Sequence, residues 1–289
     1  MNKNTIIPNL IIIGDSAYDT NKFICEDSSH FFKTNYGGAG IYSSVPASIF
    51  YRVGLVSNAG DDFSIDRLKK FNIDLRGFHT HKDERTSRFY NILRTKDRQE
   101  RETVAEYNER LTATFDDIPK EFLKAKYFYI STMLPSNQKQ IIEKLRNCNP
   151  NAIIGVDTFE GYADLNETRE VFDLVDIAFV DKEFSNLIQC KSKTKVIKLG
   201  KTGCILLDRE HAQKFDATVI ENVVDKTGAG DCLNGVFMNL IANGYSNEVA
   251  LKKAIEIATL SIKDFGILHI KDRIMTERDE AREWLHTFR

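Results

Sequence analysis

The sequence predicts an α/β protein built on a mostly parallel central sheet, with a few strands set outside it. Three observations carry that expectation. Short apolar, β-branched runs alternate with segments of helical periodicity along most of the chain, and βαβ crossovers require such alternation. The last third reads as helix. Two stretches, residues 20–36 and 77–107, break the alternation with extended sequence that leaves little room for a helix.

Taken in order, the strands are NLIIIG (9–14), VGLVSN (53–58), KYFYIS (126–131), AIIGVD (152–157), DIAFV (176–180) and KVIKLG (195–200). Helical periodicity covers 137–147, where Ile141, Ile142 and Leu145 share a face, and then 229–243, 246–264 and 275–288. In the second of these late helices Ala250, Ala254, Ile257, Ala258 and Ser261 line one side. TSRFYNIL (86–93) and RETVAEYN (101–108) alternate weakly and suit a small outlying sheet that acts as a lid; a pair of surface hairpins without a role is the alternative. No repeat, low-complexity tract or linker divides the chain, so residues 1–289 are expected to form one domain.

Composition excludes several classes. Hydrophobic residues make up 42% and charged ones 28%, and the net charge is −2. Nothing there favours nucleic acid or a membrane surface as a partner. The apolar run near the N-terminus is too short for a signal segment or a span. Cys25, Cys148, Cys190, Cys204 and Cys232 are scattered, odd in number and without a CxxC pair, which suits reduced thiols in a cytoplasmic protein. The sequon at Asn166 is read as accidental for the same reason.

The chemistry concentrates in DKTGAGD, residues 225–231, which runs into the helix at 229–243. A helix start exposes unpaired N–H groups and partial positive charge. Gly228 and Gly230 remove side chains that would block approach to those amides, and Ala229 is nearly as small. The segment 228–230 can therefore wrap a phosphoryl group. Asp231 at its mouth is placed to accept a proton from an attacking hydroxyl. The plainer reading is an N-cap from Asp225 or Thr227 with a glycine turn; it explains one capping group but not the whole cluster.

DKTGAGDCLNG resembles the signature of the PfkB, or ribokinase-like, carbohydrate kinases. The resemblance implies a three-layer α/β/α sandwich with a small β lid. It also implies Asp231 as catalytic base and Gly228, Ala229 and Gly230 as an anion hole. YGGAGIYSSVPASIFYRVGLVSNAGDD (36–62) is similar to the family's N-terminal signature, with matching positions Gly37, Gly38, Gly54, Gly60, Asp61 and Asp62. IIIGDSAYD resembles its first strand and puts the substrate aspartate at Asp19. Asp19, Gly37, Gly38 and Tyr42 are thus expected at the acceptor, and Lys198, Gly200, Gly203 and Thr227 at the nucleotide. ATP and Mg²⁺ follow from the resemblance. A monovalent cation is left open, and a homodimer paired through the lids is expected from it.

The departures concern the acceptor and the metal. Tyr42 stands where the family commonly has asparagine, and Pro46 should kink its helix unless it falls near an end. The usual N-x-x-E appears as DKEF, with Asp181 for Asn, Phe184 for Glu, and Glu183 one position away as the candidate metal residue. GKT at 200–202 imitates a Walker A ending, but Lys195 occupies the position of the required glycine. His79 and His81 share a strand face without an evident third ligand, which suits an exposed lid strand better than a metal site. Arg88 or Tyr90 is a candidate acceptor contact from the lid, and Asp157 a secondary candidate at a strand end.

The functional expectation is an ATP-dependent kinase that phosphorylates a hydroxyl of a small sugar, polyol or nucleoside. The alternative is a weakly active or non-catalytic sugar- or nucleotide-binding regulator on the same scaffold. A Rossmann dehydrogenase is set aside, because no G-x-G-x-x-G follows the first strand.

Overall fold

β1 (Leu10–Ile13) sets the frame. Leu10 and Ile12 are buried in one apolar cluster, Ile11 and Ile13 in another. A strand covered on both faces belongs in the interior of a sheet sandwiched between layers. A computed structural model, describing residues 6–24, 29–94, 101–157, 165–209, 211–221 and 223–272, has that arrangement.

The strands that follow are β2 (Ala17–Ile24), β3 (His30–Gly37), β4 (Val53–Gly60), β5 (Ile73–His81), β6 (Ser87–Arg94), β7 (Arg101–Glu106) and β8 (Tyr127–Ile130). The set is completed by β9 (Ile153–Asp157), β10 (Ile177–Asp181), β11 (Thr194–Lys198), β12 (Cys204–Asp208) and β13 (His211–Phe215). The helices are α1 (Ala39–Ala47), α2 (Pro135–Cys148), α3 (Leu165–Asp173), α4 (Ala229–Ala242) and α5 (Asn247–Ser261). No helix among the described residues is long and apolar enough to cross a membrane.

Among the described residues the main sheet has nine strands in the order β13-β12-β11-β10-β9-β8-β1-β4-β5. β5 through β11 pair in parallel, while β12 and β13 close one edge antiparallel. Residues of α1, α4 and α5 pack with Leu10 and Ile12, and those of α2 and α3 with Ile11 and Ile13. These are the expected three layers. β1 lies between β4 and β8, so the chain departs to opposite sides there. Such a switch point opens a crevice at the carboxyl ends of the strands.

A second sheet has the order β3-β2-β6-β7. The central pair β2/β6 is parallel, and both flanking pairs are antiparallel. β2 alternates buried and half-buried residues along its whole length, as a sheet with one covered face should. The register puts Ala17, Asp19, Asn21 and Phe23 on the covered face, with Gly37, Asn35, Lys33 and Phe31 of β3 and Ser87, Phe89 and Asn91 of β6.

Several local expectations need correction. Residues 77–81 continue the main sheet as the end of β5, so His79 and His81 lie on its edge strand and not in the small sheet. His81 Nε2 lies 2.9 Å from Asn58 Oδ1, and His79 Nε2 3.3 Å from the Asp117 carbonyl oxygen. Pro46 produces no kink because α1 ends one residue later. Cys148, Cys190, Cys204 and Cys232 are free thiols, and burial pushes Cys204 and Cys232 up to about 12. Cys25 and the helix expected at 275–288 lie outside the described residues.

Candidate active site

α4 begins where its sequence forces a particular turn. Gly228 is the N-cap, with φ 73° and ψ 9° in the left-handed region, and no side chain caps the helix. A Cβ on Gly228 would lie 2.1 Å from the Tyr42 ring. Both the backbone angle and the space therefore demand glycine. The Ala229 N–H donates to the Lys226 carbonyl at 3.2 Å, so it is engaged within the turn. Among the described residues, the amides of Gly228, Gly230 and Asp231 have no hydrogen-bond partner. These are the donors open to an anion.

Asp225 braces this turn from outside the helix. It is 3% exposed. Its Oδ1 accepts from the Thr227 N–H at 3.0 Å, and its Oδ2 from Asn21 Nδ2 at 2.8 Å. Asn21 in turn accepts from Asn91 Nδ2 at 2.7 Å, and Asn91 from the Thr103 hydroxyl at 2.9 Å. A polar chain thus runs from the small sheet into the GAG turn. Asn21 Nδ2 also stands 3.5 Å from Thr227 Oγ1. Neither Asp225 nor Thr227 caps α4, contrary to the N-cap reading.

Asp231 stands in the first turn of α4, and its Oδ1 is buried without a hydrogen-bond partner. Burial, then the negative charge of Asp157, push its carboxyl up to about 8, against the opposing pull of Lys198. Asp181 and Asp19 add to the upward push, so three other carboxylates act electrostatically on Asp231. One ammonium serves two of them directly. Lys198 Nζ donates to Asp157 at 2.8 and 2.9 Å and pairs with Asp181 Oδ2 at 3.2 Å. Burial disfavours the Lys198 charge, but Asp157 and Asp181 outweigh it and hold the lysine above its ordinary range. A Cβ on Gly230 would lie 3.5 Å from Lys198 Nζ, so this ammonium borders the amide turn.

Asp157 also accepts from Asn234 Nδ2 at 2.7 Å, and Asn234 Nδ2 donates to the Tyr129 hydroxyl at 3.0 Å. Gln138 of α2 holds the ends of β8 and β9 together through the Ser131 and Asp157 carbonyls, at 2.9 and 3.0 Å. Asp157 is therefore a central member of the site. Its pairing with Lys198 depends on the neighbouring positions of β9, β10 and β11, which no local motif announces.

Asp19 is 3% exposed on the covered face of β2. Its carboxylate lies over Gly37, where a Cβ would come within 2.4–2.6 Å of the carboxylate atoms. The Tyr42 hydroxyl donates to Asp19 Oδ2 at 2.6 Å. Tyr42 is thus a buried brace that joins Asp19 to Gly228. Gly38, with φ 87°, caps α1 and leaves room for the Asp15 carbonyl, which accepts from the Gly40 N–H at 3.0 Å.

The remaining expected residues sit at the margin or apart. Gly200 and Gly203, at φ 61° and 95°, shape the exposed turn between β11 and β12, with no Walker-type loop. Glu183 is exposed and pairs with Lys182 at 3.5 Å. Among the described residues no group of three or more His, Cys, Asp or Glu is arranged to hold a metal ion. Arg88 and Tyr90 share the face of Tyr18 and Thr20, opposite to Asp19. Arg88 instead pairs with Asp62 at 2.6 Å and covers the Tyr18 ring. Phe89 and Asn91 are the β6 residues on the Asp19 side.

The comparisons with known proteins follow this geometry. Over 278 residues the chain is 25% identical to a cytidine kinase of Thermococcus kodakarensis, covering 89% of this chain and 97% of that protein. Its fold superposes on a Burkholderia thailandensis nucleoside kinase in complex with inosine, with a TM-score of 0.78 at 16% identity, covering 95% and 99% of the two chains. A ribokinase of Arabidopsis thaliana complexed with ribose and ATP superposes with a TM-score of 0.72 at 18% identity, covering 94% and 98%. Residues 9–271 match the pfkB family carbohydrate kinases, and the chain belongs to that family.

Proposed function

We propose that the protein transfers the γ-phosphoryl group of ATP to a hydroxyl of a small acceptor, within the range of sugars, polyols and nucleosides. The observation that carries this reading is the unpartnered Oδ1 of Asp231 beside three open amides. A buried carboxylate oxygen without a donor is costly unless a ligand supplies one. An acceptor hydroxyl supplies that donor. With its carboxyl near 8, Asp231 is matched to proton abstraction near neutrality. The amides of Gly228, Gly230 and Asp231 stabilise negative charge that develops on the transferring group. Lys198 supports the same charge from the Gly230 side.

Asp19 holds the acceptor by its hydroxyls, kept in orientation by Tyr42. The small sheet covers the crevice and excludes water that would otherwise take the phosphoryl group. ATP would bind at the Gly200–Gly203 side, and Mg²⁺ held on its phosphates would supply charge neutralisation there. A nucleoside suits the acceptor side best. Phe89 and Tyr107, with ring centroids 6.5 Å apart, form an aromatic wall next to Asp19, and the similarity to a cytidine kinase supports the same reading.

The test is a coupled ADP-release screen over pentoses, hexoses, their phosphates, inositols and nucleosides. One acceptor class is expected to raise ADP release well above the ATP-only background, and Asp231→Asn to lower that turnover by at least about 100-fold. Background rates across the whole panel would contradict the reading.

A further inference from the structure

We infer that Asp15 is a second acceptor-recognising carboxylate, whose Oδ1 takes a hydrogen bond from an amino group on the base of a nucleoside held at Asp19. This rests on the nucleoside reading above and deepens it.

Asp15 lies two residues past the end of β1, at the switch point between β4 and β8, where the crevice opens. Its main chain is pinned by the Gly40 N–H on its carbonyl. Its side chain is aimed by the Tyr107 hydroxyl, which donates to Oδ2 at 2.8 Å and lies 2.6 Å from Thr112 Oγ1. Oδ1 is buried and has no hydrogen-bond partner. Among the described residues no cation pairs with the group. Burial pushes its carboxyl up to about 6, opposed by the Tyr107 hydroxyl and, more weakly, by the Ala113 backbone N–H.

The surroundings say what kind of donor fits. The Tyr107 ring that orients Asp15 also meets Phe89, and Phe89 stands opposite Asp19 in the register of β2 and β6. Asp15, Tyr107, Phe89 and Asp19 are therefore contiguous, with two rings between two carboxylates. A flat, donor-bearing base against the rings, with its ribose toward Asp19, satisfies both ends. An amino group beside a ring nitrogen suits a carboxyl group in either protonation state. The carboxylate accepts from the amino N–H; the acid accepts with one oxygen and donates to the ring nitrogen with the other.

The experiment is isothermal titration without nucleotide. Wild type and Asp15→Ala are each titrated with cytidine and with the pyrimidin-2-one riboside that lacks the amino group. The expected result is that wild type binds cytidine at least about tenfold more tightly than the analogue, while Asp15→Ala binds the two within about threefold of each other. Wild type binding both within about threefold, or binding neither, overturns the inference, as does Asp15→Ala keeping the preference. The wild-type arm stands even if the variant fails to fold. ADP release reads the kinase assignment separately. Turnover of ribose without any amino preference sinks only the Asp15 inference. An amino preference in binding, with no turnover of any acceptor, sinks only the kinase reading.

Discussion

The two sheets of this protein are built on different terms. β1 is buried on both faces and gains roughly 1.5–3 kcal/mol from each apolar side chain. β2 buries every second residue, and two of those four are Asp19 and Asn21. The main sheet is thus fixed by packing, and its strand ends carry Asp157, Asp181 and Lys198 in a tight ionic cluster. The small sheet combines aromatic contacts with polar links, and its covered face carries Asp19, Asn35 and Phe89. Under the proposed function the difference is a division of labour: the fully buried layer would supply the phosphoryl-transfer centre, and the half-buried layer the acceptor contacts. Gly228 and Tyr42 are where the two meet.

The largest expected effect comes from breaking that meeting point. Gly228→Ala puts a methyl group into the Tyr42 ring and strains a left-handed residue. It should lower kcat by about 100-fold, read by steady-state ADP release, because the amide turn must move. Tyr42→Phe removes the hydrogen bond to Asp19 and keeps the ring. Acceptor KM should rise about tenfold with kcat changing less, a split that marks loss of orientation on the small-sheet side.

Asn21→Ala cuts the chain from Asn91 to Asp225. Denaturant unfolding should show a loss of about 1–3 kcal/mol, since Asp225 loses a donor while buried. Asp231→Asn probes the opposite sheet through stability. The folded-state pKa of Asp231 is raised to about 8 from the usual 3.8. Its stabilising contribution is therefore complete below pH 3.8 and disappears as pH rises toward 8. The variant should melt several degrees above wild type at pH 8.5, with the difference vanishing near pH 4. At the small end, Glu183→Ala should change the Mg²⁺ dependence of turnover by less than about twofold, since that exposed side chain contacts Lys182.

Much of this was legible in the sequence where local chemistry decides structure. The run at 10–13 reads as a buried strand, and GAG before a helical pattern reads as a turn with open amides. What was hidden depends on register. Lys198 stands opposite Asp181 because β10 and β11 pair in parallel with that alignment, and nothing within either strand says so. The same holds for the small sheet. Alternation alone does not tell which of Arg88 and Phe89 faces Asp19, because a one-residue slip exchanges the faces. Asp15 was in plain view four residues before Asp19, but only Tyr107, distant in sequence, shows where it is aimed. The strand at 77–81 was assigned to the wrong sheet because its polar edge residues alternate like those of a half-exposed strand.

The central claim is that Asp231 takes the acceptor proton, with burial first and the neighbouring Asp157 carboxylate second raising its affinity for it. The direct measurement is the pH profile of kcat/KM in wild type and Asp157→Asn, with the acceptor found in the screen. The account predicts a rate that climbs with pH through an apparent value near 8 in wild type, and a limb displaced toward lower pH once the Asp157 charge is removed. A profile flat from pH 6 to 9 in wild type, or a limb that moves to higher pH in the variant, would contradict it.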